Sequence, residues 1–294
     1  MLATADVPLT WNVVRDVRQL FEFPFMVNAF RAGTIVAVAA GLAGWFMVLR
    51  RQAFAGHTLA LVGFPGAAGA VLVGLSAPVG FYAFCVAAAL VIARLPQSAG
   101  RSSSEESAVI GTVQAFALAT GFLFVSLYRG NLNGINALLF GSFLGITRSQ
   151  VALLVVLAAV ALAALAVIAR PLLFASIDPH VAAARGLPVR MLSAAFLLLL
   201  GAAAAATSQI TGSLLVFALL VLPAATAQRL TARPAVGATI SVGLALVVTW
   251  LGLAFGYYST YPIGFYVTTI AFGIYVIANA ATWVMAQRLR IVTP

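Results

Sequence analysis

Residues 151–168 read VALLVVLAAVALAALAVI, an unbroken apolar run that decides the class of fold. A helix needs about 20 predominantly apolar residues to cross the hydrocarbon core of a bilayer. Inside hydrocarbon the backbone must satisfy its own hydrogen bonds, so a spanning segment is either a helix or a strand of a closed barrel. A barrel strand alternates apolar and polar residues, and this run does not. The run therefore predicts a membrane-spanning helix.

Similar apolar segments recur along the chain and are separated by clusters of Arg, Pro, Gly or Ser. We place nine spans at 27–49, 57–75, 79–94, 108–127, 151–170, 191–206, 213–228, 236–256 and 264–286. The stretch 128–150 is compatible with a short surface or re-entrant helix, so eight to ten spans fit the pattern. Only 7% of the residues are charged, against roughly a quarter in soluble domains. The sequence predicts an all-α, polytopic integral membrane protein.

The spans suggest three regions. Residues 1–24 mix acids with Arg and are predicted to be an uncleaved N-terminal interfacial lead-in. Residues 25–286 form the transmembrane domain, with a polar linker at Leu95–Ser107 between two sub-bundles, and residues 287–294 form a cytoplasmic tail.

The net charge of +10 comes from sixteen Arg and no Lys. In a membrane protein this charge reports topology, because the Arg-rich loops stay in the cytoplasm, and we expect no nucleic-acid partner. One set of alternate loops and the tail carry eleven of them: Arg50, Arg51, Arg94, Arg101, Arg170, Arg185, Arg190, Arg229, Arg233, Arg288 and Arg290. The other side carries five: Arg15, Arg18, Arg31, Arg129 and Arg148. We therefore expect a cytoplasmic C-terminus and, with nine spans, an outside N-terminus.

All six acids lie outside the predicted spans. Carriers driven by protons or sodium place a carboxylate near the middle of the membrane, and intramembrane hydrolases need paired acids, a metal cluster or an activated nucleophile. The distribution therefore disfavours an ion-driven carrier and a membrane enzyme. An ATP-independent carrier or channel and a non-transporting scaffold remain as alternatives.

Residues 171–190 form the longest polar interruption in the second half of the chain. Asp178 can cap a helix that has Pro179 at its first position, and Gly186 followed by Pro188 can end it. The pattern predicts a short exposed helix over Val181–Arg185, which a cytoplasmic protein could bind. An ordinary connector is the alternative.

Four stretches resemble the ABC-3 type, the membrane permeases of ABC importers for zinc, manganese or iron. They are LRRQAFAGHTL at 49–59, LLFGSFLGIT at 138–147, the loop 177–186, and 212–229 with its LPAATA core. The vitamin B12 and siderophore permeases are similar in the same order, more distantly.

The resemblance implies a bacterial permease in the cytoplasmic membrane that works as a homodimer with two cytoplasmic ATPase subunits and an extracytoplasmic binding protein. It assigns Asp178, Ala182 and Gly186 to the loop that couples to the ATPase. This chain has no Gly-x-x-x-x-Gly-Lys motif, so ATP is expected on the partner and no cofactor on this chain. Gly212 and Pro223 are the candidate gating positions, because a proline inside a span kinks the helix.

The family usually has Gly-Asp-x-Leu-x-His after the first span, whereas residues 56–61 here read Gly-His-Thr-Leu-Ala-Leu. His57 replaces the acid and Leu61 replaces the histidine. His57 is then either a pathway ligand or a structural group. The polar pathway candidates Gln114, Asn131 and Gln209 could equally be packing contacts between helices. Either a divalent metal passes weakly, which we prefer, or the substrate is a metal chelate or another small solute.

Overall fold

The computed structural model describes residues 13–94, 103–128, 146–212, 216–259 and 261–292. Within these ranges the regular structure consists of helices. We number them in chain order: α1 (Val13–Glu22), α2 (Pro24–Leu49), α3 (Ala53–Leu72), α4 (Ala77–Arg94), α5 (Ser103–Leu127), α6 (Arg148–Ile177), α7 (Pro179–Ala184), α8 (Val189–Thr211), α9 (Val216–Leu230), α10 (Pro234–Tyr257) and α11 (Ile263–Val292).

Eight of the described helices are long and apolar enough to cross a membrane, namely α2 to α6, α8, α10 and α11. They match eight of the nine predicted spans. The ninth prediction, 213–228, corresponds to α9, of which the 15 residues Val216–Leu230 are described, since residues 213–215 lie outside the described ranges. The all-α membrane fold is thus confirmed, and the described part of α9 is shorter than the other eight spans.

Local sequence explains several helix starts. Pro24 and Pro234 occupy first-turn positions of α2 and α10, where the missing N–H costs no helical hydrogen bond. Helix α6 begins with a reciprocal cap in which the Gln150 N–H donates to Thr147 Oγ1 and the Thr147 N–H donates to Gln150 Oε1.

Helices α2 and α3 form the centre of the bundle. Of their most apolar windows, 67% and 78% are buried, against 17% in α5 and 22% in α6. Helix α2 packs against α6, α8, α9 and α10, and α3 packs against α4, α5 and α8. The peripheral helices instead expose large apolar side chains, such as Phe116 on α5 and Val167 on α6. Such an outward face suits contact with lipid rather than water.

Small residues and buried polar bonds hold the central helices together. A Cβ on Gly66 of α3 would collide with the carbonyl oxygen of Gly80 on α4, so these backbones approach as closely as small residues allow. Ser241 of α10 donates to the carbonyl oxygen of Gly41 on α2 over 2.7 Å. Since lipid is as apolar as Leu, packing and such bonds hold the helices together.

Contacts between helix ends group several of the helix ends at the two ends of α2. At one end Arg50 binds the end of α6 and the start of α8, and Gln228 of α9 donates to the carbonyl oxygen of Trp45. At the other end Asn28 donates to the carbonyl oxygen of Ile146, and Tyr258 donates to that of Asp16. That the first, Arg-rich end faces the cytoplasm stays a prediction.

Two helices extend beyond their predicted spans. Helix α5 begins at Ser103, inside the predicted linker Leu95–Ser107, of which 95–102 lie outside the described residues. Helix α11 continues to Val292, so most of the predicted tail 287–294 extends the last helix. Both stretches are polar, and a helix that leaves the membrane can continue through polar residues where water solvates its side chains.

Candidate transport pathway and docking loop

His57 lies in the first two turns of α3 and is half-buried. Its ring meets that of Phe217 on α9 edge-on, with the centroids 4.9 Å apart and the planes at 71°. Nδ1 is buried and has no hydrogen-bond partner among the described residues. A buried polar atom without a partner loses its hydration with no compensation, so this nitrogen is suited to a ligand that arrives from outside the chain.

Gln114 forms a hydrogen bond with Thr58, the residue after His57. The hydroxyl of Thr58, which is fully buried on α3, donates to Gln114 Oε1 of α5 over 2.8 Å. This bond joins two helices and favours the packing role for Gln114. Asn131 lies outside the described residues. Gln209 lies on α8, and its side chain is likewise outside the described part.

The segment around Gly212 interrupts the path from α8 to α9. Helix α8 ends at Thr211, and Gly212 has φ +79° and ψ 150°, a conformation essentially restricted to glycine. The described part of α9 begins at Val216, whose N–H donates to the carbonyl oxygen of Gly212 over 3.3 Å. His57 contacts Phe217, five residues after Gly212.

Pro223 is buried in the middle of α9. A proline has no N–H and leaves the carbonyl four residues earlier without its helical donor. One turn before it, the carbonyl of Leu220 lies where a Cβ on Gly44 of α2 would be. The weakened part of α9 therefore packs directly on the backbone of the central helix.

The candidate pathway offers few metal ligands. The described spans carry no Asp or Glu, and the described residues include no group of three or more His, Cys, Asp or Glu that could hold a metal ion. Leu61, at the position where the resemblance predicts a histidine, is buried one turn after His57. The described part of the candidate pathway thus supplies one imidazole, that of His57, which suits a weakly held ion better than a tightly bound one.

The predicted surface helix is present as α7 (Pro179–Ala184). The Asp178 carboxylate accepts from the N–H groups of His180 at 3.0 Å and Val181 at 2.9 Å. At the other end Gly186 has φ +79°. Its N–H donates to Ala183, and the N–H of Leu187 donates to Ala182, which is the Schellman arrangement of C-terminal bonds. Both ends of this six-residue helix are capped, so it can keep its shape.

Ala182 differs from the expected exposed turn. Its side chain is fully buried, whereas Val181 is 43% exposed and the flanking His180 and Arg185 are also exposed. Ala182 therefore seats α7 on α6 and α8, and its neighbours form the outward face. A sequence pattern of a few residues does not reveal this rotation.

The contacts of Arg50 do not follow from the sequence, in which this residue counts only as a loop charge. Nη1 donates to Ser176 Oγ at 3.1 Å, Nη2 donates to Ser193 Oγ, and Nε donates to Gln52 Oε1 at 3.2 Å. The guanidinium also lies over the Phe196 ring, 5.6 Å from its centroid. Burial lowers the pKa of Arg50 from its ordinary value, but an arginine in a protein stays protonated.

The model of the ABC 3 transport family matches residues 22–282. The manganese transport system membrane protein MntC of Halalkalibacterium halodurans is 31% identical over 215 residues, which are 73% of each chain. The chelated iron transport system membrane protein YfeC of Yersinia pestis is 28% identical over 82% of this chain and 80% of the relative.

A solved structure shares the fold. A chain of PsaBC from Streptococcus pneumoniae, solved in complex with Fab, superposes with a TM-score of 0.80 over 90% of this chain and 95% of that chain, at 24% identity.

Proposed function

The chain belongs to the ABC 3 transport family, and on that premise we propose that it is the membrane permease subunit of an importer that carries a divalent metal ion into the cell. A separate cytoplasmic subunit hydrolyses ATP, a second copy of this chain completes the pathway, and an extracytoplasmic protein delivers the substrate. Manganese and iron come first among the candidate metals because the curated relatives carry these names, and zinc follows.

The doubly capped helix α7 is the observation that carries the proposal. A helix bundle without a nucleotide-binding motif needs another subunit to supply the energy for transport. A short rigid helix between two spans can bind that subunit. Asp178 and Gly186 fix the ends of α7, Ala182 seats it on the bundle, and Val181 with its exposed neighbours offers the surface for the ATPase.

Transport then follows from displacement of α7. The movement passes to α6 and α8, and α8 leads to the Gly212 break and to α9. Access changes where α9 meets α3, at Phe217 and His57, and Pro223 lets α9 bend. A single imidazole holds the ion weakly, so the ion can leave quickly, and selectivity rests with the binding protein.

A metal chelate or another small solute is the second candidate. It is favoured by the change from acid to His57 and from histidine to Leu61, because a chelate brings its own ligands and needs no charged site. The name of the iron-related relative refers to chelated iron.

Uptake by proteoliposomes tests both candidates. The permease is reconstituted with its cognate ATPase and binding protein, and labelled manganese, iron and zinc are supplied free or chelated, with ATP or a non-hydrolysable analogue. ATP-dependent uptake of a free ion supports the first candidate, and uptake of the chelate alone supports the second. Full-speed uptake without the ATPase, or failure to recover any ATPase with the permease in mild detergent, would refute the ATP-driven function.

A further inference from the structure

We propose that Arg50 is a positioning residue that couples the docking helix α7 to α3, the helix that carries His57. The inference rests on the proposed ATP-driven function. Its starting point is an unusual arginine: the side chain is half-buried at the end of α2, and its acceptors in the described structure are neutral.

Arg50 binds both helices that flank α7, namely α6 and α8. Ser176 lies in the last turn of α6, two residues before Asp178, and Ser193 lies in the second turn of α8. One guanidinium binds both hydroxyls, so the two helices that carry α7 cannot separate or slide without moving it. Ser176 donates its own proton to the carbonyl of Leu172, which leaves its oxygen lone pairs for Arg50.

The guanidinium also contacts an aromatic ring. Stacking on Phe196 of α8 adds a cation–π contact, and the planar fork of an arginine makes such multiple contacts in one orientation. A lysine has one ammonium group and cannot reproduce this geometry.

The same residue begins the turn that leads into α3. The turn is tight: Arg51 has φ +57°, and the Gln52 N–H donates to the carbonyl of Met47 over 2.9 Å. The Gln52 carbonyl in turn accepts the first helical bond of α3, from Gly56 at 3.0 Å. Arg50 donates to the side chain of Gln52. A displacement of the docking loop therefore reaches the first turn of α3 through bonded groups, as far as Gly56, the residue before His57.

Hydroxyl acceptors suit a contact that must persist while the helices move. A carboxylate would pair with Arg50 more strongly, whereas two serine hydroxyls can rotate and follow the guanidinium during a displacement. The geometry assigns Arg50 the transmission of the movement, while α7 makes the contact with the ATPase.

The test measures ions imported per ATP hydrolysed in proteoliposomes that contain the permease, its cognate ATPase and its binding protein, with labelled manganese as the probe, or the substrate that the wild-type complex accepts. We expect Arg50→Ala to lower this ratio at least tenfold while ATP hydrolysis changes by less than about twofold. Arg50→Lys should give a ratio between those of Arg50→Ala and the wild type. The double variant Ser176→Ala with Ser193→Ala should give a ratio similar to that of Arg50→Lys. Arg94→Ala, which removes an exposed arginine from the end of α4, is the matched control and should leave the ratio unchanged.

Two outcomes would overturn the proposal. An unchanged ratio in the double serine variant would show that the bonds between Arg50 and the two hydroxyls transmit no movement. This variant keeps the arginine charge, so it remains informative even if Arg50→Ala misfolds. Loss of ATPase recovery in both Arg50→Ala and Arg50→Lys would assign Arg50 to docking instead. If the wild-type complex showed no ATP-dependent uptake of any substrate, the proposed function itself would fail, and that result is visible before any variant is made.

Discussion

Removing the cap of α7 should weaken the docking of the ATPase. In the structure one carboxylate oxygen of Asp178 accepts from two backbone N–H groups, those of His180 and Val181. Replacing an N-cap Asp by Ala costs about 1 kcal/mol, and losing a negative charge at a helix N-terminus costs about 0.3–1 kcal/mol more. A helix of six residues has few other bonds to compensate. The total of about 1–2 kcal/mol corresponds to a factor of about 5–30 in the population of the folded helix.

The assay measures the affinity of the solubilised permease for its cognate ATPase, together with amide hydrogen exchange in α7. We expect Asp178→Ala to weaken binding by up to the same factor and to speed exchange at the α7 amides. Asp178→Asn keeps the capping oxygen and should retain most of the affinity. Unchanged exchange would refute the assignment of the cap, and faster exchange with unchanged affinity would refute the docking role of α7.

Three further predictions concern the pathway and the packing. His57→Ala should reduce ATP-dependent uptake while the complex assembles normally, as judged by size-exclusion chromatography, and unchanged uptake would give His57 a structural role. Gly66→Ala forces a Cβ against the backbone of α4 and should cost about 1–3 kcal/mol, seen as a lower midpoint of thermal unfolding in detergent, whereas Gly243→Ala enters open space and should not lower it. Ala182→Leu should displace α7 and weaken ATPase binding because Ala182 is fully buried, while Ala183→Leu on the exposed side should disturb the seating of α7 far less; equal effects of the two would contradict this orientation.

Much of the fold could be predicted because its signals are local. An apolar run of the right length specifies a spanning helix wherever it lies in the chain, and eight predicted spans appear as full-length helices. The docking helix was also predictable, since Asp178 and Gly186 act on backbone groups within a few residues. The helical extensions to Ser103 and Val292 were not predicted because a helix can extend beyond the apolar run that indicates it.

The candidate site was less predictable. Sequence comparison with a family pattern pointed to His57, but neither its contact with Phe217 nor the bond between Thr58 and Gln114 follows from spacing along the chain. Such contacts depend on how α3, α5 and α9 are packed, and the residues involved are 56 or more positions apart.

By itself, the sequence determined that this protein is a bundle of membrane helices with a capped helix between two of them, because hydrophobic length and capping are properties of short segments. Only the tertiary structure decided which way each helix faces. A spanning helix is apolar all round, since lipid and the bundle interior are equally apolar, so its sequence carries little record of its rotation. That rotation buries Ala182, brings Phe217 to His57 and places Ser176 and Ser193 around the guanidinium of Arg50.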